Sequence, residues 1–113
     1  MGVGYSDQYL EQGATFTTTL TLDDDTNSPM DLTGFSARSM ARRSYSSANA
    51  TIVFDTTIID ASNGVIQLAV DSATSANVPA GRLVYDVVIK ELSSNVVTRV
   101  VEGIVYVSPA ATY

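Results

Sequence analysis

No cysteine, histidine or tryptophan occurs among the 113 residues. The absence of Cys excludes disulfides, thiolate metal sites and a thiol nucleophile. The absence of His removes the usual general base, the Ser-His-Asp arrangement and the commonest metal ligand. Positive charge is also thin. Six Lys and Arg stand against twelve Asp and Glu, a net charge of -6. Nucleic-acid backbones are gripped by basic faces, so no nucleic-acid partner is expected. No apolar run is long enough for a bilayer-spanning helix. The opening "MGVGYSDQYLEQ" lacks a basic segment followed by an apolar one. Neither a membrane partner nor a signal peptide is expected.

What is abundant is Thr, Val, Ser and Ala, while Leu, Glu and Lys are scarce. Branched side chains favour the half-buried, pleated surface of a strand. Turn signals recur at short intervals: "DDDTNSP", "DLTG", "SYSSAN", "ASNG", "VPAG" and "LSSN". Short strands between regular turns point to an all-β fold. The expectation is an Ig-like antiparallel β sandwich of about seven strands with one short helical turn. Residues 1–12 read as an N-terminal arm that lies on the sheet or reaches a neighbour. Residues 13–113 read as a single sandwich domain.

Individual segments sharpen this. From Ala14 to Leu22, Phe16, Thr18, Leu20 and Leu22 alternate with threonines. "DDDTNSP" reads as a polar hairpin loop. From Phe35 to Arg42, the arginines set the outer face, so Ala37, Ser39 and Ala41 point inward. Asn63-Gly64 suits a two-residue hairpin. Asp71 or Ser72 can cap a helical turn over Ala73 to Asn77, ended by Pro79 and Gly81. In Leu83 to Glu91, one face is Leu83, Tyr85, Val87 and Ile89. The other, with Val84 and Val88, is half apolar. In the last strand Val97, Val101, Val105 and Val107 oppose Val96, Val100, Ile104 and Tyr106. Two readings of this double-sided apolarity stay open. Either a bulge near Gly103 switches the faces, or a second subunit covers the outer one.

Candidate chemistry is sparse. Asp23, Asp24, Asp25 and Asn27 begin like a calcium loop. The required Gly and twelfth-position carboxylate are replaced by Ser28 and Gly34, so a solvated loop is expected. Arg38, Arg42 and Arg43 place half of the positive charge in six residues. They suit either cross-strand pairing with acids or a subunit contact. Tyr45, Tyr85, Tyr106 and Tyr113 could in principle form a sugar-stacking platform, but scattered tyrosines in a sandwich are more often core or rim. No carboxylate pair, phosphate loop or nucleophile–base pair is recognisable, so no enzyme activity and no cofactor or metal is expected. The candidate interface is Val84, Val88, Ile104 and Tyr106 with Arg38, Arg42 and Arg43.

Three stretches carry a resemblance: "MDLTGFSARSMARR", "NGVIQLAVDSATSANVPAGRLVYDVVI" and "VVTRVVEGIVYVSPAAT". A "DLTG" turn opens a strand, and an "NG" hairpin precedes a small-residue helical turn. A "Tyr-Asp-Val" strand and a final strand with Arg99, Gly103, Val107 and Pro109 follow. The pattern resembles small virion structural proteins of tailed bacteriophages, of the T-even-like type infecting cyanobacteria. More distantly it is similar to the N-terminal domain of phage baseplate upper proteins. The resemblance spans roughly Gln12 to Thr112 and rests on structural motifs. It implies a non-enzymatic particle component in the virion, assembled in the bacterial host cytoplasm. Its partners would be other capsid or tail proteins and further copies of itself. It implies a capsid decoration, cement or fibre-attachment subunit, with a tail or baseplate adaptor as the alternative. The lack of a coiled coil after Pro109 implies a stand-alone subunit. A carbohydrate- or receptor-binding module is the reading from a different class.

Overall fold

Alternation of apolar and polar residues builds nearly the whole molecule. The computed structural model describes residues 4–23, 28–44, 46–47 and 50–110. Its strands are β1 (Gly4–Tyr5), β2 (Gln8–Glu11), β3 (Phe16–Thr21), β4 (Phe35–Arg42) and β5 (Ile52–Val53). They continue with β6 (Asp55–Asp60), β7 (Val65–Val70), β8 (Gly81–Glu91) and β9 (Val97–Ser108). A helical turn, α1 (Ser72–Ser75), joins β7 to β8.

The strands form two sheets. The larger runs β1-β9-β8-β4-β5, with β2 also on β9, and the smaller runs β3-β7-β6. This is an all-β sandwich. The order β3-β7-β6 matches strands B, E and D of an Ig-like sandwich, and β9-β8-β4-β5 matches G, F, C and C′. The ladders are antiparallel except at the arm, where β1 and β2 run parallel to β9. The N-terminal segment thus lies on its own sheet as an edge strand.

The core lies between the sheets. Leu83, Tyr85, Val87 and Ile89 of β8 and Ala41 of β4 face Phe16, Ile66, Leu68 and Val70 of the smaller sheet, all buried. Ser39 is buried too, and its hydroxyl donates to the Asp86 carbonyl at 2.7 Å. The small residues of β4 therefore face inward, where Ala41 sits opposite Tyr85 and Ser39 opposite Val87. Small side chains here leave room for the aromatic pin between the layers. Phe16 meets Phe54 at 5.9 Å, and Phe54 meets Tyr85 edge-on at 6.2 Å. Each such pair adds about 0.5–1.5 kcal/mol beyond area burial. These rings tie the sheets where many Ig-like domains use a disulfide.

Several expectations change. The bulge is at Val100, three residues before Gly103: pairing jumps from Val87↔Val101 to Val88↔Arg99. Val100 and Val101 consequently both enter the core, so Val100 does not share a face with Ile104. Asn63-Gly64 is not a two-residue hairpin. The loop between Asp60 and Val65 holds a 3-10 turn (Ala61–Asn63) and ends on Gly64 at φ 71°. This is a second helical element besides α1. A Cβ on Gly64 would stand 2.6 Å from the Leu22 carbonyl oxygen and 2.8 Å from that of Met30. Gly64 is thus required both by its backbone and by the loop packed over it. The loop after β3 is pinched by an isolated bridge between Asp23 and Pro29, but β3 and β4 then enter different sheets. It is a crossing between layers and not a hairpin of paired strands. Asp71 caps α1, its carboxylate accepting from the Thr74 N–H at 2.7 Å.

Candidate functional site

The outward face of the larger sheet is built by strand parity. With Leu83, Tyr85, Val87 and Ile89 turned inward, Arg82, Val84, Asp86, Val88 and Lys90 turn outward. The antiparallel register sets their neighbours. Arg42, Val84 and Ile104 form one row, and Arg38, Val88 and Arg99 another. Met40, Asp86 and Glu102 lie between those two rows. A further row runs Arg82, Tyr106, Tyr9. Four predicted apolar residues, Val84, Val88, Ile104 and Tyr106, are therefore brought together with Arg38 and Arg42. Arg43 is exposed beyond the end of β4 and is not part of the face.

The bulge accounts for Val100 and leaves these outward residues unexplained. Val84 and Val88 line a shallow groove of about 380 Å³ together with Arg38, Met40, Arg42, Asp86 and Arg99, while Ile104 and Tyr106 lie outside it. Val84 and Val88 are half-buried by the long side chains beside them. Among the described residues only Arg99 pairs with carboxylates: Asp86 at 3.4 Å and Glu102 at 3.5 Å. Arg42 instead donates to the Ser47 carbonyl at 3.2 Å. Apolar centres edged by Arg are typical of protein interfaces.

Sequence reasoning missed Tyr9. Its ring stacks on Tyr106, centroids 5.3 Å apart and planes 16° from parallel, and it is 72% exposed. Parallel pairing of the arm creates that neighbour relation, which no local pattern reveals. Of the four tyrosines weighed as a platform, Tyr85 is core and Tyr106 faces outward, while Tyr45 and Tyr113 lie outside the described residues. The calcium-like run is likewise only partly described, since Asp24, Asp25 and Asn27 lie outside. Among the described residues no three carboxylates cluster in a way that could hold a metal ion. No described helix is long and apolar enough to cross a membrane.

The arm is latched from inside. The Tyr85 hydroxyl, which burial keeps above its usual pKa, donates to the Ser6 carbonyl. Asp7 accepts from the Ile104 N–H at 3.1 Å, and Gln12 donates to the Val78 carbonyl at 2.6 Å. Gly103 sits beneath this crossing. A Cβ there would overlap the Ser6 carbonyl and stand 3.0 Å from the Tyr85 ring.

No family model matches the chain, and no curated protein matches it. Among solved structures it is similar to a family 123 glycoside hydrolase from Clostridium perfringens, studied for glycolipid glycan hydrolysis. The TM-score is 0.42 at 8% identity, over 97% of this chain and 24% of the other. The chain thus spans about a quarter of that enzyme, and a likeness at this level carries no functional weight.

Proposed function

We propose that this chain is a non-enzymatic structural protein of a tailed-phage virion that works by protein–protein contact. The observation that carries the contact role is the arginine-edged apolar face of Val84, Val88, Ile104, Tyr106, Arg38 and Arg42. The virion setting is supported by the sequence resemblance from Gln12 to Thr112. In this reading the protein is a capsid decoration, cement or fibre-attachment subunit, and the same face would serve a tail or baseplate adaptor. Its place is the assembled particle, and its partners are other virion proteins and its own copies. Mass spectrometry of purified particles, with heads and tails separated, tests this. The protein is expected in one fraction at stoichiometric level; its absence from both overturns the virion reading.

One observation favours a second reading. The stacked, exposed Tyr9–Tyr106 pair is a surface on which a sugar ring could lie. A glycan array giving specific binding that is lost in Tyr9→Ala would replace structural docking by carbohydrate recognition.

A further inference from the structure

All six cations lie on or beside the larger sheet: Arg38, Arg42, Arg43, Arg82, Lys90 and Arg99. Neither β3, β6 or β7 nor the described connections between them hold a Lys or Arg. That side carries Asp23, Asp31, Asp55, Asp60 and Asp71 instead. Five of the six cations share the outward face, against Asp86, Glu102 and, on β2, Glu11, and the first two of those acids already engage Arg99. A chain with net charge -6 therefore presents one locally cationic face. The acids are also arranged. Leu22 N–H donates to the Gly64 carbonyl at 2.8 Å and Leu32 N–H to that of Ala61 at 2.7 Å. These bonds bring Asp23, Asp31 and Asp60 to one end of the sandwich. Asp31 is held by the Thr33 N–H at 2.9 Å, and Asp60 by Ser62 at 3.0 Å and Asn63 at 2.8 Å.

We infer that the outward face of the larger sheet docks the acidic Asp23–Asp31–Asp60 end of a second copy, head to tail. The inference rests on the contact role proposed above and names its partner. Among the described residues Arg38 and Arg42 pair with no carboxylate, and they border the groove of about 380 Å³, whose one acid, Asp86, is engaged by Arg99. Val84, Val88 and Met40 supply its apolar floor. A second copy brings carboxylates already held in position, so little side-chain freedom is lost on contact. The two patches differ, so the contact is heterologous. Each addition leaves one patch of each kind open, and growth ends in a ring or continues as a chain.

The test begins with the unaltered protein in sedimentation velocity across a salt series. Screening shortens from about 30 Å at 0.01 M to about 3 Å at 1 M salt. Self-association is expected at low salt and weaker by about tenfold or more at high salt. Two variants then separate the patches. Arg38→Gln with Arg42→Gln removes the cationic face, and Asp31→Asn with Asp60→Asn removes the acidic end. Each folded variant alone is expected to be monomeric. Their mixture should form a heterodimer and stop there, since one intact patch of each kind remains. Association indifferent to salt, a strict monomer at low salt, or a mixture that stays monomeric overturns the inference. So does association that survives loss of the acidic end but not of the arginines, because that marks a face-to-face contact. A monomer that is still found in particles sinks this inference and leaves the proposed function standing. Absence from particles with the expected mixing behaviour does the reverse.

Discussion

Gly103 and Tyr85 show how two residues hold a distant segment. The Gly103 position has no room for a methyl group because the obstacle is the Ser6 backbone and not a movable side chain. Gly103→Ala should therefore cost about 1–3 kcal/mol, read as a lower urea midpoint, with faster exchange at the Ser6 amide. An unchanged midpoint would mean that the arm yields without cost. Tyr85→Phe keeps the ring and removes the hydroxyl, leaving the Ser6 carbonyl without its donor. A loss of about 1–3 kcal/mol is expected in the same measurement. That Tyr85 is core follows from alternation along its strand. Its partner, 79 residues away, does not, because nothing local in sequence encodes a parallel edge strand.

Elements were legible where one strong local signal dominates. The cap at Asp71 ahead of small helix-compatible residues was such a case, and so was the inward set Ala37, Ser39 and Ala41 between arginines. A bulge does switch the faces of β9, three residues before the Gly103 that pointed to it. The irregularity is carried by consecutive valines, and glycine serves a close approach instead. The Asn63-Gly64 loop was misread because a four-residue connection containing a 3-10 turn uses the same glycine as a tighter one. The caps also set acid behaviour. Thr74 holds the Asp71 carboxyl below its ordinary value of 3.8, Thr33 does so for Asp31, and Asn63 with Ser62 for Asp60. Folded values below unfolded ones mean that the unfolded chain binds more protons in that range. Stability is thus present above pH 3.8 and lost as pH falls through the lowered values. Urea midpoints should drop on acidification below 3.8. Asp71→Asn, which can still cap but cannot titrate, should shrink that drop. An equal drop in this variant would remove Asp71 from the account.

At the scale of the whole molecule, the two sheets divide labour. Their inner faces supply a continuous core, and the outer face of the larger sheet keeps apolar side chains and cations that folding does not use. The sequence carried that face as a parity pattern, Val84, Val88, Ile104 and Tyr106. It could not show Tyr9 joining it or the confinement of every Lys and Arg to the larger sheet and its borders, since both depend on which strands become neighbours. The central claim is that this face is the working surface. Hydroxyl-radical footprinting of the protein, free and within the particle, tests it most directly. Met40, Tyr9 and Tyr106 should be oxidised in the free protein and protected in the particle, while Ile59 of β6, 53% exposed, keeps much of its reactivity. Protection confined to Ile59 and its neighbours, with Met40 and Tyr106 unchanged, would contradict the account.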